Sequence, residues 1–390
     1  MLKRGSREPE PPQRSGKRSS RRPEPLVSSK SGKSRRGAEP EVPKGKRRSR
    51  VARHPVVLFA NMLLFLLVAG LVGGVAALVI GQRMYTAEGP LQQDVAILIE
   101  RGSALEFIAR GLEEQGIITN QYVFLAAAQA TGAAGKMQAG EYMIPARSSM
   151  EQVMQRIASG DVIQHQITFA EGLTSYQVVQ RMLENDILTG PVAEIPPEGS
   201  LLPETYRITR GMPRERLIDS MKAAHNRAVE RIWAARSPDL PIDSPAELVV
   251  LASIVEKETG VDGERGRVAA VFENRLKQGM KLQSDPTILY GLYGGEAWAQ
   301  GRTLFQSDLD RPNPYNTYQI AGLPPGPITN PGVAALEATA QPAETKDLFF
   351  VADGSGGHVF SETYAEHQRN VTRWRQIEAE RRAAGTGPTE

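Results

Sequence analysis

Two glutamates interrupt an apolar run. In LVVLASIVEKETG, Leu248 to Gly260, uncharged residues give way to Glu256 and Glu258. A carboxyl held against apolar neighbours is disfavoured as an anion, so its pKa rises and it keeps its proton near neutral pH. A general acid that protonates a leaving oxygen needs that property. On a helical wheel Glu258 falls about 20° from Leu251, between Ile254 and Val255, in the middle of the apolar stripe. Glu256 falls on the less apolar side, beside Val249, Ala252 and Ser253. Glu258 also occupies the last turn, where the helix dipole again disfavours the anion. On pattern alone, a solvated or ion-paired glutamate remains open, with Lys257, Arg265 and Arg267 as partners.

Other chemistries fit less well. The histidines, His54, His165, His225, His358 and His367, show neither HExxH nor a paired metal spacing. The absence of cysteine excludes disulfides, thiolate catalysis and cysteine metal sites. Ser253 and Lys257 do not have the S-x-x-K spacing of serine acyl-transfer enzymes. GLYGGEAWAQG lacks the glycine spacing that cradles phosphate. No metal and no other cofactor is expected.

What positions these residues begins at a membrane. Val56 to Ile80 carries no charge, and Asn61 is its one strongly polar side chain. At about 1.5 Å per residue the run is long enough to cross a hydrocarbon core of about 30 Å. Residues 1–53 hold 18 Lys and Arg against 5 Glu, leaving 29 basic against 39 acidic residues in the remainder. Charge split in this way indicates two environments and no nucleic-acid partner. Arg47, Arg48, Arg50 and Arg53 precede the span, which places the N-terminus in the cytoplasm and residues 84–390 in the periplasm of a cell with an inner membrane. The Pro-, Ser- and Arg-rich arm has almost nothing to bury and is expected to be disordered.

The 390 residues leave room for two or three domains. Three segments beyond the span begin with a hydroxyl residue followed three positions later by Glu or Gln: Ser103/Glu106, Ser148/Glu151 and Thr174/Gln177. This is the capping-box signature of a helix start. GEYMI, from Gly140, reads as a short strand between the first two. Strand–helix–helix–strand units of this kind resemble LysM-like modules, which bind peptidoglycan glycan; plain helical packing also fits. Further on, RERLIDSMKAAHNRAVERIW predicts an amphipathic helix, and RVAAVFENRLKQGM a helix stopped at Gly279. A last helix is predicted around Ala334 to Ala340, and a strand at DLFFVAD.

ASIVEKET, VFENRLKQGMKLQSDPTILYG, NPYNTYQIAGLPPGPITNPG and FFVADGSGGHVFSETYAEH together resemble the endolytic murein transglycosylase, or YceG-like, family. The blocks follow one another from Leu248 to His367. EGSLLPETY is close to a further family block, with Glu204 where Asp is usual. The resemblance implies endolytic cleavage of the β-1,4 bond between N-acetylmuramic acid and N-acetylglucosamine. No water is added, and 1,6-anhydro ends are left, so that nascent strands stop growing. It also implies that Glu258 is the general acid and base and that Glu256 supports the helix. Gln283, Asp285 and Thr287, with Tyr315, Asn316, Thr317 and Tyr318, match blocks that look like walls of a substrate cleft. Turn formation explains the same residues equally well.

The expected class is α+β, with five parts. These are a basic arm at 1–53, a transmembrane helix at 54–83, a LysM-like α/β module at 84–189, a mixed α+β catalytic domain at 190–375 and a flexible tail at 376–390. The expected partners are peptidoglycan glycan strands, the membrane, and peptidoglycan synthases or division proteins. A non-catalytic peptidoglycan-binding scaffold is the competing expectation, and it has no use for an acid on an apolar stripe. A reporter active only in the cytoplasm, fused after Glu390, is expected to stay silent. Activity of that reporter would overturn the topology.

Overall fold

The computed structural model describes residues 54–296 and 304–383. The basic arm and the last residues, 384–390, lie outside the described residues. The chain divides into a unit of residues 1–72 and a compact unit of residues 73–390. Helix α1, Pro55–Thr86, begins in the first unit and ends in the second. It is long and apolar enough to cross a membrane, and none of its residues is buried by protein. Leucines and phenylalanines such as Leu64, Phe65 and Leu71 stand exposed along it. Such a surface is costly in water and suits lipid.

Unit 73–390 contains three apolar clusters in chain order. The first joins β1 (Val95–Ile99), α2 (Leu105–Glu114), α3 (Gln121–Ala130), β2 (Gly140–Ile144) and α4 (Met150–Ser159). Strands β1 and β2 are antiparallel, with Val95 opposite Ile144 and Ile99 opposite Gly140. Their inward residues Ile97, Tyr142 and Ile144 meet Phe124, Met154 and Ile157 in one core. The caps differ from expectation at two of three helices. Ala104, not Ser103, precedes α2 and offers no side-chain cap. Helix α4 carries its box one residue later, with Ser149 and Gln152 in place of Ser148 and Glu151. Adjacent serines make that register ambiguous in sequence.

The second cluster joins β3 (His165–Thr168), α5 (Ser175–Leu183), β4 (Leu188–Thr189), β5 (Thr205–Ile208), β6 (Met212–Pro213) and the start of α6 (Arg214–Ala234). Strand β3 pairs antiparallel with β5, and β4 pairs parallel with β6. Thr174 and Gln177 form the expected capping box on α5. Residues 167–182 thus share a core with Leu201, Ile208, Leu217 and Met221. The boundary expected at residue 189 falls inside this cluster, because β3 finds its strand partner beyond it.

The third cluster carries the site. It contains the end of α6, then α7 (Pro245–Glu258), α8 (Arg265–Lys277), α9 (Asp285–Tyr293) and α11 (Val333–Ala340), with the short α10 (Gln306–Leu309) between the last two in the chain. Strands β7 (Phe349–Ala352) and β8 (His358–Ser361) form an antiparallel hairpin, followed by α12 (Tyr364–Ala383). Residues 376–383, expected in a flexible tail, are the end of α12. The architecture is therefore mixed α+β with one apolar N-terminal helix.

Helix α7 starts where Ser244 Oγ accepts the Glu247 N–H at 3.2 Å and Pro245 fills a first-turn position. Every residue from Leu248 to Val255 is buried, so the helix is enclosed on all sides and not on one stripe. Leu251 is fully buried in the middle of this run. Leu251→Ala is expected to destabilise the protein by about 2–5 kcal/mol, through lost burial and a residual cavity. Urea unfolding of the purified protein reads this directly, and a loss below about 1 kcal/mol would mean that α7 is not the packed centre.

Candidate active site

Glu258 is the last residue of α7, and Thr259 leaves the helix in an extended conformation. The chain returns past it through α8 and the loop that opens α9. Gln283 in that loop adopts φ of +53°, a left-handed conformation uncommon for a side-chain residue. The next residue, Ser284, directs its hydroxyl to Glu258 Oε1 at 2.5 Å. The loop is held from below. Ser284 N–H donates to Thr317 Oγ1 at 2.9 Å, Thr287 Oγ1 donates to the Ser284 carbonyl at 2.6 Å, and the two threonine hydroxyls lie 2.9 Å apart.

Glu258 opens onto a cleft of about 270 Å³ lined by Arg275, Gln283, Asp285, Tyr318, Phe349 and His367, among others. Burial pushes its carboxyl up to about 7 and Asp285 acts in the same direction, while the Ser284 hydrogen bond, His358 and Arg275 oppose them. A carboxyl poised there holds its proton in about half of the molecules at neutral pH and can give it up and take it back. Tyr318 donates its hydroxyl to Asp285 Oδ1 at 2.7 Å. On the facing wall the Phe349 and His367 rings stack at 5.1 Å, and Tyr364 stands beside them, exposed. Burial and the Arg275 charge lower the His367 pKa.

Of the expected cleft residues, Gln283, Asp285 and Tyr318 reach the cleft. Thr287 and Thr317 are fully buried and brace the Ser284 loop. Asn316 is also fully buried, and its amide donates to the carbonyls of Leu309 and Arg311. Tyr315 packs edge-on against Tyr290 at 5.1 Å. Glu256 accepts the Gly332 N–H at 2.9 Å and so ties the end of α7 to the start of α11. Its own pKa is raised, chiefly by burial. The wheel's contrast between two sides of α7 therefore does not separate the glutamates. What separates them is where each carboxyl points, one to a cleft and one to a backbone amide.

Ser284, Arg275, Phe349, Phe350, Tyr364 and His367 were not singled out in the sequence. Arg275 had a readable signal. Val268, Phe272 and Arg275 follow helical spacing, which sets a charge on an apolar stripe, as at Glu258. The aromatic wall had none, because its rings come together only when α12 folds over the hairpin.

The chain matches the YceG-like family over residues 97–373. It is 31% identical over 317 residues to the endolytic murein transglycosylase of Bacillus subtilis, covering 72% of this chain and 86% of that one. It is 28% identical over 323 residues to the endolytic murein transglycosylase of Streptococcus pneumoniae. That alignment covers 71% of this chain and 58% of the pneumococcal protein's length. A crystal structure of a yceG-like protein from Listeria monocytogenes aligns with a TM-score of 0.44 at 25% identity, covering 71% of this chain and 99% of that chain.

Besides Glu256, two other carboxyls share the raised titration of Glu258. Burial lifts Glu198 to about 7 and Glu273 to about 8. A carboxyl whose pKa rises on folding binds more protons folded than unfolded between the two values, so stability falls with pH there. The contribution of these groups is full below about pH 4.5 and is lost as pH rises through 7 to 8. Denaturant unfolding is therefore expected to show lower stability at pH 8 than at pH 5. Glu258→Gln is expected to recover up to about 3 kcal/mol of that difference. An unchanged difference would mean that Glu258 titrates as an ordinary surface carboxyl.

Proposed function

The chain belongs to the YceG-like family, and from that membership we propose that it is a membrane-anchored lyase of peptidoglycan, an endolytic murein transglycosylase. The observation that carries this reading is a single carboxyl, Glu258, poised near neutral pH at a polar and aromatic cleft. In the first step Glu258 gives its proton to the N-acetylglucosamine oxygen leaving C1 of N-acetylmuramic acid. In the second its carboxylate takes the proton of the muramic 6-hydroxyl as that oxygen closes on C1. The proton returns to Glu258, no water is consumed, and the product ends in 1,6-anhydro-N-acetylmuramic acid. Ordinary glycosidases use two carboxyls at a fixed separation. Here one suffices, because acid and base act in succession.

Other features support the same reading. Gln283, Asp285 and Tyr318 offer hydrogen bonds to an N-acetylated sugar, and the exposed Tyr364 ring offers a face to a pyranose. The β1–α2–α3–β2 unit has the strand–helix–helix–strand order of a LysM-like glycan-binding module. Helix α1 is the anchor, with the N-terminus in the cytoplasm and the rest in the periplasm. Held at the membrane, the enzyme meets strands as they emerge from synthases or division proteins, and cleavage there would end their elongation.

The test is mass analysis of muropeptides after incubation of the full-length protein with sacculi. Internal cleavage with 1,6-anhydro ends is expected; reducing ends alone would make water the acceptor, with Asp285 the carboxylate to activate it. Glu258→Gln is expected to lower cleavage at least about 10²-fold, the usual worth of general acid–base catalysis. Glu256→Gln is expected to retain most activity. Loss with Glu256→Gln and retention with Glu258→Gln would reverse the assignment.

A further inference from the structure

Arg275 is a buried cation with no carboxylate in ion-pair contact among the described residues. Its residue is 7% exposed, and among the described residues no acidic group pairs with it within 4.0 Å. Its Nε donates to the Leu348 carbonyl at 2.7 Å and its Nη1 to the Leu282 carbonyl at 2.5 Å. The Phe349 ring lies 5.4 Å from the guanidinium carbon. Two carbonyls and a ring face fix the group in place but supply no negative charge. Buried charges that persist are normally matched by an opposite charge. Arg275 lines the cleft that Glu258 opens onto, so an anion for it has to arise in that cleft or enter it.

We propose that Arg275 is a positioning residue whose guanidinium serves as the counter-charge to Glu258 in the carboxylate half of its proton cycle. The inference rests on the acid–base reading of Glu258. After the first proton transfer Glu258 is an anion at a helix C-terminus, beside Asp285, and both features oppose it. Other groups face it from each packed element. Ser284 donates its hydroxyl, Asp285 and Tyr318 form a hydrogen-bonded pair, His358 sits on β8 bonded to Glu264, and His367 stands on α12. On its own helix Glu256 and Lys257 flank it, with Glu256 turned to Gly332. His358 is held by Glu264 at 2.8 Å and so has a carboxylate partner of its own. Arg275 is the permanent cation among the described residues that line the cleft. Clamped by two backbone carbonyls, it cannot swing onto Glu258 and trap it, so it lowers the cost of the anion without closing an ion pair that would block proton return.

The experiment titrates Glu258 directly in the full-length protein in detergent, using ¹³C-carboxyl glutamate NMR assigned by difference with Glu258→Gln. The wild-type carboxyl is expected near 7. Arg275→Met is expected to raise it by about one unit or more, and Arg275→Lys to restore most of the shift. With sacculi, the alkaline limb of the pH profile should move the same way and kcat should fall about tenfold at neutral pH with KM nearly unchanged. Arg275→Gln, which can keep one carbonyl bond, replaces the Met variant if the latter does not fold. An unmoved Glu258 titration in a folded neutral variant overturns the proposal. A rise in KM alone, with titration unmoved, also overturns it and makes Arg275 a reader of substrate oxygens. Because the titration needs no substrate, failure to find anhydro ends would count against the acid–base reading and leave this measurement interpretable.

Discussion

The site depends on the burial of α7 from Leu248 to Val255. Leu248 to Val255 pack on every side, so the helix can neither roll nor slide without breaking the core of the C-terminal part. Its last turn is therefore a fixed bracket, and Glu258 stands at its end. An amphipathic helix on the surface would let the carboxyl swing out to water and titrate normally. Enclosure removes that escape, and desolvation follows from it.

Around this bracket the protein spends buried polar groups on loops. Thr287 and Thr317 pin the Ser284 turn, and Asn316 pins the segment that presents Tyr318. Asn330 works at larger scale. Its amide donates to the Leu173 carbonyl and Ser175 Oγ, its carbonyl oxygen accepts the Leu201 N–H, and its own N–H reaches Leu173. These bonds join the second apolar cluster to the third. Loops rich in Pro and Gly would otherwise be poor supports for a reacting group. Satisfied buried polar networks give them one arrangement, because any other leaves several donors unpaired.

Legibility in the sequence followed the range of the interaction. The apolar N-terminal run, helices α6 to α8 and the strand at Phe349 were readable because their signals are local: hydropathy, helical period and stop residues. Ser149 in place of Ser148 was not readable, since either serine satisfies the cap pattern. The seven polar residues of the Gln283 and Tyr315 blocks looked alike on paper. Folding divided them into those that face the cleft and those that hold it, a distinction set by which side of one loop each occupies. Tyr364 and His367 lie far from Glu258 in sequence, and no local rule announces that α12 brings them to it. Arg275 carries on α8 the same local signal that Glu258 carries on α7, a charge set on an apolar stripe.

A raised carboxyl does not by itself identify a catalyst. Glu198, Glu258 and Glu273 are all lifted toward or above neutrality by burial. Glu198 Oε1 accepts the Ser175 N–H at 2.7 Å and the Asn330 amide at 3.2 Å, and so is committed to joining two parts of the fold. Glu273 has both oxygens buried without a hydrogen-bond partner and is 1% exposed, so no substrate can reach its proton. Glu256 is also raised and is committed to Gly332. Glu258 alone of these combines a proton held near neutral pH, a cleft lined with hydrogen-bonding and aromatic groups, and a hydroxyl and a cation that favour its anion. Desolvation supplies the acid; access and a way back from the anion make the acid usable in a cycle. Those last two conditions are geometric, so the proposed assignment rests on the cleft and not on the pKa.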